Sequence, residues 1–213
     1  MERAAGNEKT AQRYQQAADA LKTSFNELFW DDEQGRYISW VDAEGGRHDY
    51  FFTSTNLIAA WEQIADKSRR KRILEGIKSK LHQIGYMGFS LPCNLINIPP
   101  EHYNAGDFWL EHYGYPHFYD DFGTYENGGI FPWISAYYMA ALAEFDPDAA
   151  YDHYIAILDQ YTRDNLQGAG NGYFWNPDTG RLTEGSMQEP YIANVAMVIW
   201  RFMSMFGLEF DPP

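Results

Sequence analysis

Six segments of helical periodicity, joined alternately by very short and very long connections, constrain this chain of 213 residues more than any other feature. The first segment runs from Thr10 to Phe29 on a stripe of Tyr14, Ala17, Leu21, Phe25 and Leu28. The second starts near Thr53 to Thr55, whose hydroxyls suit an N-cap, and continues through NLIAAWEQIAD. The third starts at Ser68, a further capping residue, with Ile73, Leu74, Ile77, Leu81 and Ile84 on one face. The fourth spans Ile130 to Phe145. The fifth opens after Asp146 with Pro147 in the favoured first turn, and carries Tyr151, Tyr154, Ile155, Leu158 and Tyr161. The sixth spans Pro190 to Phe206, and Gly207 is placed to end it.

The second and third segments are separated by a tight turn around Lys67, the fourth and fifth by FDPD. Helices joined so closely run antiparallel. The other three links are long and rich in glycine, proline, aromatics and carboxylates, and long loops without strong elements of their own usually carry function. Up-and-down packing then brings all three long links to one end of the molecule, which becomes the face for chemistry. The first, third and fifth segments are amphipathic, as outer helices are. The fourth and sixth are apolar nearly all round and the second is mixed, so these three are expected inside. An inner ring wrapped by an outer ring is the α/α-toroid plan. Alternation around Glu44-Gly45-Gly46 and a turn at NPDTGR predict two or three short β-hairpins within the loops. The expected fold is thus all-α, a single domain over residues 1–213, with short hairpins on one face.

Net charge of −14 argues against nucleic acid or an anionic membrane as partner. A single cysteine, Cys93, excludes an intramolecular disulfide and a cysteine metal cluster. The opening MERAAGNEKTAQRYQQ reads as polar helix rather than signal peptide, so a cytoplasmic location is expected. Aromatics reach 17% and many sit among polar residues, as in DFWLEHYGYPHFYDDF and GNGYFWNP. Such clusters suit a sugar site, where rings take the C–H faces of a pyranose, and they equally suit ordinary packing with one wet edge. No tight metal-ligand spacing, phosphate loop or serine or cysteine nucleophile motif is present, so no cofactor is expected.

Three stretches carry a family resemblance. FNELFWDDEQGRYISWVD resembles the helix end and hairpin of the six-hairpin glycosidases, TYENGGIFPWISAYYMAAL is similar to their Asn-Gly-Gly-x-x-Pro-Trp entry into an inner helix, and GYFWNPDTGRLTEGSMQEPYIANVAMVIW looks like their last hairpin and last inner helix. That superfamily includes trehalases, processing α-glucosidases, debranching glucosidases and α-rhamnosidases. The resemblance implies glycoside hydrolysis by paired carboxylates, mostly with inversion, on a small carbohydrate or glycoside. It also implies an incomplete (α/α)6 toroid of three helical hairpins, corresponding to the C-terminal half. On that alignment the general acid precedes residue 1, and homo-oligomerisation or pairing with a missing N-terminal half is expected.

Inverting hydrolysis needs two carboxyls roughly 6.5 to 9.5 Å apart, with water between them. Glu126 leads the candidates: it precedes an apolar helix whose dipole favours an anion, beside Gly128 and Gly129 that permit close backbone approach. The plainer reading is that Glu126 and Asn127 cap that helix. Asp121 and Glu189 complete the catalytic candidates, Glu189 at the start of the last helix where relatives supply the base. At the hairpin position where many relatives carry that base this chain has Tyr173. Substrate-binding candidates are Asp120, Tyr125, Asn127, Trp133, Trp40, His117, Trp175 and Gln188, with His48 a further hydroxyl partner. Two rival readings are a non-catalytic carbohydrate-binding or interaction module and a toroidal sugar phosphorylase.

Overall fold

A computed structural model describes residues 4–99, 122–124, 127–163, 174–183, 193–205 and 207–208. The described residues form six helices: α1 (Glu8–Phe29), α2 (Thr53–Trp61), α3 (Lys67–Gln83), α4 (Pro132–Ala143), α5 (Pro147–Arg163) and α6 (Ala193–Met205). Among the described residues, six two-residue strands pair antiparallel as three hairpins: β1 (Trp30–Asp31) with β2 (Arg36–Tyr37), β3 (Trp40–Val41) with β4 (Arg47–His48), and β5 (Phe174–Trp175) with β6 (Leu182–Thr183). The architecture is mostly helical, as expected, and is compatible with an α/α-toroid. Among the described residues no helix is long and apolar enough to cross a membrane.

Helix ends show where local chemistry acts. Asp66, not Ser68, caps α3, its carboxylate accepting the Arg69 amide at 2.8 Å. An ionised oxygen one residue before the first turn outcompetes a hydroxyl already inside the helix. At α2 the N-cap is Phe52, without a side-chain cap. The Thr53 hydroxyl instead donates to the carbonyls of Pro92 and Cys93, strapping α2 to the next loop. Pro132 and Pro147 begin α4 and α5, where a missing N–H costs nothing. Gly207, at φ 73°, follows α6, and Leu208 N donates to the Met203 carbonyl at 3.2 Å.

The fourth helix is the axis of the packing. α4 touches α2 and α3 on one side and α5 and α6 on the other. Its Ile134 and Ala141 join one buried cluster with Leu57, Ile73, Ile77 and Leu95; its Met139 joins a second with Ile157, Tyr161, Trp175 and Val198. Arg70 ties α3 to α4 by two parallel hydrogen bonds to Glu144, at 2.9 and 3.1 Å. That pairing holds the Glu144 carboxyl below its ordinary range.

Two expectations about inner and outer helices need correction. No residue of α1 is buried, and every position from Gln12 to Ser24 is exposed. Its apolar stripe therefore lies in solvent, and only Phe25 and Phe29 reach the first cluster. Likewise α6 is not enclosed: Val198 is fully buried, while Ile199 and Trp200 are exposed. Periodicity identifies an apolar face but not what covers it.

A buried polar chain crosses the α4–α5 contact. Ser90 Oγ lies 2.6 Å from Ser135 Oγ, and His153 Nε2 lies 2.9 Å from the same Ser135 oxygen. Burial pushes the His153 imidazole down to about 4. In the unfolded chain a histidine takes its proton near pH 6.5. Unfolding therefore binds a proton between about pH 6.5 and 4, so stability falls as pH drops through that window and levels off below it. The ring keeps some contact with solvent, so the loss amounts to about 2 kcal/mol. Denaturant titrations of wild type and His153→Gln across this range test it: the variant should show a flatter acid limb, and an identical limb would overturn the assignment.

Candidate active-site rim

The long links are zipped together by their backbones at the N-terminal ends of α2 and α4. The amide of Thr53 donates to Cys93 at 2.9 Å, and the amide of Cys93 donates to Gly129 at 2.8 Å. Leu95 and Ile96 donate to Phe51 and Tyr50, each at 3.2 Å. Gly123 donates to Asn127 at 2.8 Å, and Trp175 donates to Gly123 at 3.0 Å. On the same end Asn194, at the start of α6, accepts the Trp133 amide at 3.2 Å, satisfying one of the free donors of the α4 N-terminus. One continuous ribbon thus joins segments 50–53, 92–96, 127–130, 122–124 and 174–175. The expectation that the long links gather on one face is met for these described parts.

Two nominated residues are built into this ribbon. Asn127 is 1% exposed. Its Oδ1 accepts from the Ile98 amide at 3.0 Å and Asn94 Nδ2 at 3.2 Å, while its Nδ2 donates to Asn97 Oδ1 at 2.9 Å and the Ile98 carbonyl at 3.3 Å. Trp175 is 2% exposed, its indole N–H donates to the Gly128 carbonyl at 2.6 Å, and its ring meets Tyr86 and Phe122 edge-on. Gly123 is required here: φ is +96°, and a Cβ would sit 2.2 Å from the Trp175 carbonyl oxygen. These contacts make Asn127 and Trp175 the frame of the rim.

Trp133 and Trp40 are half-buried. Trp133 packs on the first cluster one turn from Tyr137, with rings edge to face at 6.1 Å. Trp40 stacks on His48 at 5.2 Å and leans on Tyr50 and Phe52. His48 Nε2 is 2.8 Å from Asp42 Oδ2, and that hydrogen bond, with amides of Gly46 and Glu44, holds the Asp42 carboxyl below its ordinary range. This Trp40–His48–Asp42 group lies on the hairpin that leads directly into Tyr50 and the rim. It offers an aromatic face and a carboxylate-oriented imidazole side by side, groups suited to sugar hydroxyls. Asp42 was not among the nominated residues, although the hairpin register, Trp40 opposite His48, would bring it beside the turn. Asn94 and Asn97 were also missed, because isolated amides in LPCNLINIPP carry no periodic signal.

Glu126, Glu189, Asp121, Asp120, Tyr125, His117 and Gln188 lie outside the described residues. Among the described residues, no three histidine, cysteine or acidic side chains converge as a metal site.

The trehalase family model matches residues 1–109, more than half of the chain. The chain belongs to the trehalase family. It is thereby a member of the six-hairpin glycosidase superfamily, and the family match is consistent with a partial chain. No curated protein matches it. The matched stretch of this trehalase-family chain contains α1 to α3, the first two hairpins and the Asn94–Asn97 loop. The first of the three resembling motifs falls inside it, and the ENGGIFPW and GYFWNPDTG motifs lie beyond residue 109.

Proposed function

We propose that this chain acts on O-glycosidic bonds of a small carbohydrate by carboxylate acid/base hydrolysis with inversion. The observation that carries the reading is the trehalase family match over residues 1–109. The zipped rim at the N-terminal ends of α2 and α4, with Trp40 and His48 beside it, supports it as a place for a sugar. Glu126 is the leading catalytic carboxylate, activating the water that attacks the anomeric carbon. Its partner carboxyl, drawn from Asp121 and Glu189, protonates the leaving glycosidic oxygen. Tyr125, Asp120, His117 and Gln188 are assigned to hydroxyls. The α,α-linked disaccharide trehalose is the first substrate to test, followed by aryl glycosides. Hydrolysis should fall at least about a hundredfold in Glu126→Gln, the effect of losing a general base or acid. Activity unchanged by that substitution would remove Glu126 from the mechanism. Binding of a glycoside without turnover, by wild type and Glu126→Gln alike, would favour a carbohydrate-binding module instead.

A further inference from the structure

Arg201 of α6, at 6% exposure, is the most deeply buried charged residue among the described residues. Its guanidinium carbon lies 4.0 Å from the ring centroid of Trp61, 4.3 Å from that of Trp200 and 5.3 Å from that of Tyr137. The end of α2, the middle of α4 and α6 itself thus build an aromatic box around one cation. Arg36 and Arg70, which are less buried, pair with Asp49 and Glu144 at 2.7 and 2.9 Å. Among the described residues Arg201 pairs with no carboxylate, and its Nε has no hydrogen-bond partner.

Aromatic rings do not complete such a site. They attract the charge through their faces, yet a stacked guanidinium keeps its fork of N–H donors at the edge, where an acceptor is needed. Burial works against the ionised form; the Tyr137 hydroxyl and, more weakly, the exposed Glu62 favour it. Position supplies a second argument. Asn194, Val198 and Arg201 share one buried face of α6, and Asn194 accepts the Trp133 amide at the rim. Arg201 therefore lies two helical turns, about 10 Å, below the rim. Trp200 is 44% exposed, so the box sits one side chain beneath the surface. We infer that Arg201 and its three rings form a receptor for an oxyanion, the carboxylate or phosphate group of a small ligand, held by the guanidinium edge. This inference does not depend on the glycosidase reading.

Calorimetric titration of the full chain with inorganic phosphate and with glucuronate tests it, with neutral glucose as the control for a sugar ring alone. At least one of the two anions should saturate the wild type with a Kd on the order of millimolar or tighter. The tighter of the two identifies the source of the oxyanion. Arg201→Gln should weaken that anion about tenfold or more and leave the glucose titration as in wild type. Arg201→Lys keeps the charge but loses the fork, so it should bind at intermediate strength and decides the matter if the glutamine variant does not fold. Tryptophan emission should change as the anion saturates, because two indoles lie against the guanidinium. Wild type that saturates with neither anion would overturn the receptor and leave Arg201 to packing. Equal anion affinity in wild type and either variant would place the ion elsewhere and overturn it as well.

Discussion

Trp175→Ala should lower the free energy of unfolding by about 4 kcal/mol, in the range for emptying a large aromatic site. The indole fills space between Tyr86 and Phe122, and its N–H is the donor to the buried Gly128 carbonyl. Truncation leaves a cavity, and that carbonyl loses its indole donor at 2.6 Å. Trp175→Phe isolates part of the effect: most of the ring volume stays, the donor goes, and about 1–2 kcal/mol should be lost. Urea unfolding measures both, read as a lower midpoint at unchanged slope. A Trp175→Ala protein of near wild-type stability but weakened sugar binding would make this side chain a stacking platform and not the frame.

Asn127→Leu should cost about 3 kcal/mol, although the two side chains have similar size. Leucine satisfies none of the four groups the amide engages, so the Ile98 amide and carbonyl, Asn94 Nδ2 and Asn97 Oδ1 lose a partner together. Asn94 is the most sensitive of them, because its Oδ1 is already buried without a hydrogen-bond partner among the described residues. The loss should appear as early hydrogen exchange in residues 94–98 as well as in the unfolding midpoint. Wild-type protection of that loop in the variant would show that the amide cluster does not hold it.

The helices were readable because their signals are local. Ile73, Leu74 and Ile77 recur at helical spacing in α3 and are its buried residues. Pro132 and Pro147 stand where helix starts tolerate them. Partnership was not readable. The stripe of α1 follows the same rule as that of α3, yet no residue of α1 is buried. The candidate site divides in the same manner. Trp40 and Trp175 are both aromatics next to hairpin turns, and only three-dimensional context leaves one half-buried over His48 and encloses the other. For Asn127, capping and sugar binding were the readings open to the sequence. The structure adds a third use, long-range hydrogen bonding across 29 to 33 positions of chain. Nothing in the residues around position 127 encodes the loop it meets.

The hydrogen bonds of the rim also govern how the protein acquires its site. Each link joins distant positions: Thr53 to Cys93, Cys93 to Gly129, Gly123 to Trp175. Closing such spans costs chain entropy before the contacts repay it, so helix pairs with short connections should form ahead of them. The α2–α3 and α4–α5 hairpins are then the early units, and the rim is the late one. Competence to bind sugar should consequently lag behind the recovery of helical signal during refolding, as the final step of assembly.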